Sequence, residues 1–170
     1  MNKALAFISI LAVASSVPAS EPDSQQLFKV IKIVDGDTVD VLTGDRVMIR
    51  LRVNGIDAPE RGQPFGNNAK QYLSDTIGGK MVRLRGYGLD KYSRSITDIY
   101  LPGEPELFIN RELVKRGLAW HYVEYAPKRE DLRVDEAQAR RARVGLWSDP
   151  RHVAPWAWRD LSKDERDKLR

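Results

Sequence analysis

Three segments near the start of the chain have the hydrophobic and polar pattern of β-strands: residues 29–34, 38–43 and 47–53. The first two are rich in β-branched residues, and Asp35-Gly36-Asp37 between them is a tight-turn signature. In the third segment apolar residues alternate with Arg50 and Arg52, which therefore share one face. The pattern predicts an antiparallel meander of three strands with arginines along one side.

Helical spacing of apolar residues predicts three helices further along the chain. The first covers Phe65 to Ile77 and ends at Gly78-Gly79, where a left-handed cap would stop it. Asn110 is expected to cap a second helix, which Gly117 closes. Residues 128–143 are rich in Ala, Arg, Glu and Gln and predict the third.

Two more alternating segments, residues 80–85 and 95–101, predict a fourth and a fifth strand. The expected fold class is therefore α+β but mainly β. It is a five-stranded OB-type β-barrel with one inserted helix and helices trailing behind it. The open face of such barrels commonly receives nucleic acid or sugars.

The beginning of the chain has the features of a secretory signal peptide. Lys3 precedes an apolar run over residues 4–13, and small residues lead up to Ala19. The apolar run is about half of the ~20 residues needed to cross a bilayer, so we expect cleavage after Ala19 and no membrane anchor. The protein is accordingly expected to be a monomer that is secreted or periplasmic, without stable membrane association.

We expect the chain to divide into four parts. They are a signal peptide (1–19), a flexible leader (20–26), a barrel domain (27–159) and a charged C-terminal tail or helix (160–170). The pattern does not decide whether the last part is a solvated helix or a frayed end.

The amino-acid composition limits which partners and which catalytic or metal sites the protein can have. Lys and Arg number 28 against 24 Asp and Glu, which gives a net charge of +4, and a mildly basic protein is compatible with a polyanionic partner without requiring one. The sequence has no cysteine, which excludes disulfides, thiolate nucleophiles and thiolate zinc sites. Its two histidines, His121 and His152, are too isolated to form a histidine-based zinc site.

Carboxylates cluster at the ends of two predicted strands. Asp37 lies in the first turn, Asp57 follows the third strand, and Glu60 comes directly after Pro59. Calcium accepts carboxylates, carbonyls and water in flexible geometry, so Asp37, Asp57 and the Ala58 carbonyl could hold it while Glu60 faces a bound water. Ordinary solvated turn residues are the alternative interpretation of the same pattern.

Arginines lie close to these carboxylates in sequence. Arg50 and Arg52 precede Asp57 on the third strand, and Arg94 lies in a polar loop before the fifth. A planar guanidinium can hold two phosphate oxygens at once, which a lysine cannot. Taken one at a time, each arginine is better explained as a solvated surface cation.

Three segments taken together resemble the signatures of the thermonuclease (staphylococcal nuclease) family, in the same order. They are Val34-Asp35-Gly36-Asp37-Thr38-Val39, Gly55-Ile56-Asp57-Ala58-Pro59-Glu60 and Asp90-Lys91-Tyr92-Ser93-Arg94. The resemblance spans roughly Leu27 to Trp147. It implies a secreted, calcium-dependent nuclease that hydrolyses phosphodiester bonds in DNA and/or RNA with little sequence specificity.

The resemblance also implies roles for individual residues. Calcium would be bound by Asp37, Asp57 and the Ala58 carbonyl. Glu60 would activate or position water, and Arg52 and Arg94 would be the catalytic arginines. Arg52 lies five residues before Asp57, as the family pattern requires, and Arg50 is the alternative.

Nucleotide contacts are implied for Lys91, Tyr92 and Tyr125, although packing within the fold is an alternative for Tyr125. Ser93 stands where glycine is usual in the family, so we expect its loop to adopt a left-handed conformation less readily. Trp156 and Trp158 match no signature, and we expect them to be structural.

Two other functions remain open. One is a catalytically weak or inert nucleic-acid-binding barrel, although Asp37, Asp57, Glu60 and Arg94 are all present. The other is an oligosaccharide-binding barrel, which would need exposed aromatic platforms in place of arginines beside carboxylates.

Overall fold

The computed structural model describes residues 26–169. Its strands are β1 (Leu27–Ile33), β2 (Thr38–Leu42), β3 (Met48–Val53), β4 (Ile56–Asp57), β5 (Met81–Leu89), β6 (Ser95–Leu101), β7 (Leu107–Phe108) and β8 (Trp120–His121). Its helices are α1 (Gly66–Ile77), α2 (Ile109–Lys115), α3 (Glu130–Ala142), α4 (Pro155–Asp160) and α5 (Lys163–Leu169), with a 3-10 helix at Gly145–Ser148. The predicted signal peptide, its cleavage site after Ala19 and the leader up to residue 25 lie outside the described residues.

Five long strands close into a barrel. β1, β2 and β3 form the expected meander, and β5 joins β1 to β6 through antiparallel pairing. Parallel pairing between β3 and β6, for example Leu51 with Ser95, closes the ring. The expected five-stranded OB-type barrel with an inserted helix is therefore confirmed.

The barrel interior is filled by the inward residues that alternation predicts. Val39, Val41, Leu51 and Val53 are at most 1% exposed, and Ile99 of β6 joins them. From β5, Val82 is also fully buried. Helix α1 buries one apolar stripe, Ala69, Leu73 and Ile77, in the same cluster. A helix packed in this way holds fixed the loop that precedes it, which lies beside the candidate site.

Asn110 does not cap the second helix, contrary to the expectation from sequence. Helix α2 begins at Ile109, and the side chain of Asn110 is fully buried between the helix and the barrel. It accepts a hydrogen bond from the Ile99 N–H (3.0 Å) and donates to the Asn54 carbonyl and the Asp98 carboxylate (both 2.9 Å). Buried backbone groups need such partners, and this need outweighs local capping.

The C-terminal part differs from expectation in its boundaries. Helix α3 ends at Ala142, with Arg143 in the left-handed conformation (φ 51°) after it, and Gly145 starts the 3-10 helix. Residues 163–169 form a helix with no buried residue, so this part of the charged C-terminal segment is a solvated helix. Across residues 26–169, no helix is both long and apolar enough to span a bilayer.

The two C-terminal tryptophans behave differently from each other. Trp158 is buried, as a structural residue would be. Trp156 is 37% exposed, and its ring stacks parallel to Tyr122, with centroids 5.2 Å apart. Because Tyr122 borders the cleft described below, α4 lies against the candidate site.

Candidate active site

A cleft of about 670 Å³ opens beside the barrel where three loops converge. The β1–β2 turn, the segment from the end of β3 to Glu60, and the β5–β6 loop supply most of its lining. Tyr122, Tyr125 and Arg159 complete the wall. The three segments that carry the family-like signatures, far apart in sequence, therefore border one cavity.

Close packing of two loops determines where Asp37 lies. A Cβ atom at Gly36 would come within 2.7 Å of the Cβ atoms of Ala58 and Ala69, so glycine allows the turn to approach them. The Asp37 carboxylate accepts a hydrogen bond from the Ala58 N–H (2.8 Å), and the Asp37 carbonyl accepts one from the Val53 N–H (2.9 Å). These contacts hold the first turn against the segment that carries Asp57.

Arg52 lies between the two acidic residues. Its Nη2 contacts Asp57 Oδ1 at 2.8 Å and Asp37 Oδ2 at 3.1 Å. Its Nη1 donates to the carbonyls of Val53 and Ile56, at 3.0 and 2.8 Å. The side chain is only 14% exposed. The guanidinium plane is thus held rigidly by four oxygen atoms at one edge of the cleft.

Arg50 has a different environment, although it lies on the same face of β3. It pairs with Asp40 of β2 through two hydrogen bonds of 2.7 and 2.9 Å, opposite it in the strand register. This guanidinium holds the pKa of the Asp40 carboxyl below its usual range. Arg50 is absent from the residues that line the cleft, so the structure brings Arg52, and not Arg50, to the carboxylates.

The carboxylates are crowded enough to favour a cation. Burial and the neighbouring Asp37 carboxylate raise the pKa of Asp57 to about 6, against the opposing attraction of Arg52 and Arg159. Burial and Asp37 also raise the pKa of Asp35 to about 6. A positive charge in the cleft would relieve this repulsion.

The donor set is compatible with calcium, provided that several ligands are not acidic side chains. No group of three or more His, Cys, Asp or Glu side chains in the described part of the chain is arranged to hold a metal ion. Two carboxylates, Asp37 and Asp57, do lie close together, since both contact the same nitrogen of Arg52, and a calcium ion would share them with that arginine. Oxygen-only ligands suit a hard cation, with the Ala58 carbonyl and waters supplying the remaining positions.

Glu60 is placed at the cleft by a well-anchored loop. Its N–H donates to Gln63 Oε1 (2.9 Å), and Gln63 Nε2 donates to the carbonyl of Val153 (2.7 Å). A Cβ atom at Gly66 would lie 2.3 Å from the Glu60 carbonyl oxygen, so only glycine lets α1 start this close to the loop. The Glu60 side chain is 39% exposed, which leaves its carboxylate accessible from the cleft.

The β5–β6 loop carries Arg94 on another part of the wall. Asp90 organises this loop by accepting hydrogen bonds from the N–H groups of Tyr92 and Arg94 and from Arg94 Nε. Ser93 adopts the left-handed conformation (φ 60°) that glycine takes more readily, and the Asp90 hydrogen bonds on either side of it close the turn. Arg94 is therefore presented to the cleft without a glycine in the loop.

Aromatic rings lie at the cleft mouth. Tyr92 is 67% exposed, with Lys91 Nζ 5.1 Å and Arg94 Cζ 5.3 Å from its ring centre. Tyr125 is 68% exposed and lies 4.7 Å from Tyr122, measured between ring centroids. The three residues predicted to contact the nucleotide, Lys91, Tyr92 and Tyr125, therefore all border the cavity, and both tyrosines are largely exposed.

Arg159 is the residue at this site that sequence reasoning missed. From α4 it donates through Nη2 to Asp57 Oδ2 (2.7 Å) and through Nη1 to Glu60 Oε1 (2.5 Å). About one hundred residues separate it from these partners. No spacing in the sequence relates them, and only the path of α4 back to the barrel brings them together.

Comparison with known proteins finds one matching family and several similar nucleases. The family described as staphylococcal nuclease homologue matches residues 50–149. The micrococcal nuclease of Shigella flexneri is 40% identical over 96% of this chain and 98% of its own length. An uncharacterized endonuclease of Haemophilus influenzae is 36% identical over 96% of this chain and 89% of its own length. The staphylococcal-like nuclease CAN1 of Arabidopsis thaliana is 42% identical over 65% of this chain and 33% of its own length.

Proposed function

The chain belongs to the staphylococcal nuclease homologue family, and on this premise we propose that it is a calcium-dependent nuclease acting on DNA or RNA with little sequence specificity. One observation carries the proposal. Two buried carboxylates, the carboxylate of Glu60 and the guanidinium groups of Arg52 and Arg94 border a single open cleft. An inert binding barrel would have no need to bring these five groups together.

Asp37, Asp57 and the Ala58 carbonyl would hold the calcium ion. When bound, the ion supplies positive charge that polarises the phosphate and orients the attacked bond. The hydrogen bond from the Ala58 N–H to the Asp37 carboxylate supports this role, because it holds Asp37 beside the segment that carries Asp57. Little rearrangement of the backbone is then needed on binding.

Phosphodiester hydrolysis concentrates negative charge on the equatorial phosphate oxygens. Arg52 and Arg94 are the groups that stabilise this charge, because a guanidinium held in one place keeps its positive charge there without reorganising during the reaction. Arg52 is fixed by its two carbonyl contacts, and Arg94 by Asp90. Glu60 accepts a proton from the attacking water or holds that water in line, as a general base placed at the cleft does.

Low sequence specificity follows from the kind of contacts available. Tyr92 and Tyr125 offer exposed ring faces, and stacking on a ring tolerates any base. Lys91, which also lines the cleft, adds a cation for the phosphate backbone. We further propose that the protein acts as a monomer. We also propose that it is exported, and the signal-peptide pattern of residues 1–19 supports the export.

The experiment is digestion of labelled DNA and RNA by the purified protein in calcium, in magnesium and in excess chelator. We expect cleavage in calcium, poor substitution by magnesium because of its strict octahedral geometry, and none in chelator. Undiminished cleavage in chelator contradicts the calcium requirement. Binding of nucleic acid without cleavage in calcium identifies an inert binding barrel in its place.

A further inference from the structure

Helix α4 brings a third arginine into the cleft from outside the residues that the family match covers. That match ends at residue 149, whereas α4 spans Pro155–Asp160. Trp156 and Arg159 are one helical turn apart and so project on the same side of α4. The ring of Trp156 lies flat on Tyr122, which orients the helix so that Arg159 reaches Asp57 and Glu60.

Arg159 occupies the acidic groups that the proposed reaction requires. Both oxygens of Asp57 accept a guanidinium N–H, Oδ1 from Arg52 and Oδ2 from Arg159. The second terminal nitrogen of Arg159, Nη1, donates to Glu60 Oε1. Each carboxylate oxygen of Asp57 therefore already has a cationic partner. A calcium ion that binds Asp57 must share an oxygen with one of these guanidinium groups or displace that group.

Of the two guanidinium groups, that of Arg159 is the one able to leave. Arg52 is only 14% exposed and is tied to two backbone carbonyls, whereas the Arg159 side chain is 44% exposed. The backbone of Arg159 is nevertheless anchored, because Arg166 of α5 donates to the Arg159 carbonyl (2.8 Å) and to that of Trp158 (3.1 Å). The side chain can move while its attachment point stays beside the cleft.

We propose that Arg159 is a third active-site arginine, which neutralises Asp57 and Glu60 before the metal binds and contacts a substrate phosphate afterwards. This inference rests on the proposed function. A divalent cation at Asp57 repels a guanidinium within a few ångströms, and the nearest negative charge then available to Arg159 is the phosphate held in the same cleft. Release of Arg159 also frees Glu60 to act on water.

The test compares wild type with Arg159→Gln and with the matched control Arg133→Gln. Arg133 is a solvent-exposed arginine on α3 that pairs with Glu130 away from the cleft. Calcium is titrated calorimetrically into each metal-free protein without nucleic acid. Binding of a labelled phosphorothioate oligonucleotide is then measured by fluorescence anisotropy in saturating calcium, and circular dichroism checks the fold of each variant.

The two measurements are expected to change in opposite directions for Arg159→Gln. Calcium should bind about three- to tenfold more tightly, because a competing cation is gone, and the oligonucleotide about tenfold more weakly, because a charged phosphate donor is lost. Arg133→Gln should match wild type within about twofold in both, as expected for an exposed pair. Arg159→Lys, which keeps the charge without the planar fork, should give calcium affinity between those of wild type and Arg159→Gln.

Unchanged or weaker calcium binding by Arg159→Gln overturns the proposal, since it means that Arg159 does not compete with the ion. Unchanged oligonucleotide affinity overturns it as well, because the released side chain then does not reach the substrate. Wild-type protein that is folded but binds no calcium refutes the proposed function together with this inference. A different result refutes the inference alone: the wild type cleaves nucleic acid in a calcium-dependent way, but Arg159→Gln binds calcium with the same affinity as the wild type.

Discussion

Replacing Arg52 by lysine tests the arrangement of the candidate site most directly. The guanidinium of Arg52 contacts four oxygen atoms, two from backbone carbonyls and two from carboxylates. A lysine ammonium keeps the positive charge but carries its three donors on one nitrogen, so it cannot span both pairs of oxygens. The substitution therefore removes the planar arrangement of hydrogen-bond donors and keeps the positive charge.

The expected effect has a catalytic and a structural part. Loss of one preorganised donor to a transition-state oxyanion typically lowers turnover by about 10² to 10³. The carbonyls of Val53 and Ile56 also lose their donor within a largely buried pocket, and an unsatisfied buried acceptor costs about 1–3 kcal/mol. We therefore expect Arg52→Lys to lose both turnover and a measurable part of the free energy of unfolding.

Arg50→Lys is the matched control, because it makes the same change two residues earlier on the same strand. Its guanidinium also forms a two-point pair with a carboxylate, that of Asp40, but lies outside the cleft. With its side chain 45% exposed, we expect a stability loss of about 1 kcal/mol or less and turnover within about threefold of wild type. The structure thus gives Arg50 mainly a stabilising role.

Turnover is measured with labelled DNA in saturating calcium, and stability by urea unfolding of the metal-free proteins. A similar loss of turnover in Arg50→Lys and Arg52→Lys would refute the assignment of Arg52 to the reaction. So would wild-type turnover in Arg52→Lys. A loss of stability at position 52 with normal turnover would show that the four contacts serve only to hold the loops together.

Three further predictions follow from the same cleft. Glu60→Gln should keep oligonucleotide binding but lower turnover by about 10² or more, as loss of a general base does, and wild-type turnover would reduce Glu60 to a loop carboxylate. Gly36→Ala should lower the free energy of unfolding by about 1–3 kcal/mol through overpacking, and an unchanged urea midpoint would contradict the close approach of the two loops. Asp90→Asn should lower turnover by about tenfold with little change in the urea midpoint, because Arg94 loses its charged anchor in an exposed loop. Normal turnover in that variant would mean that Arg94 does not need Asp90.

Much of the fold could be predicted because it is encoded locally. Alternation with a period of two marks a strand that has one buried face, and it identified each strand of the barrel to within a few residues. Turn residues such as Gly36 place Asp37 at a strand end, and a strand end is where a loop can meet its neighbours. The candidate carboxylates could therefore be found from sequence together with the family resemblance.

Other features depend on distances that no local pattern contains. Alternation puts Arg50 and Arg52 on one face of β3, but only the barrel decides that one meets Asp40 and the other Asp57. Asn110 looks like a helix cap until the packing of α2 buries it against Asp98. In each case a buried polar group takes the partner that tertiary packing supplies, in preference to the local one.

Arg159 shows most clearly what could not be predicted from the sequence. The sequence alone determined the strands, the order of the acidic and basic segments, and the absence of cysteine. It could not place α4, because a helix of six residues is positioned by contacts such as the stack of Trp156 on Tyr122, made with residues far away in the chain. Only the tertiary structure decided that a third arginine lies on Asp57 and Glu60, since side chains distant in sequence meet only where packing of the whole barrel brings them together.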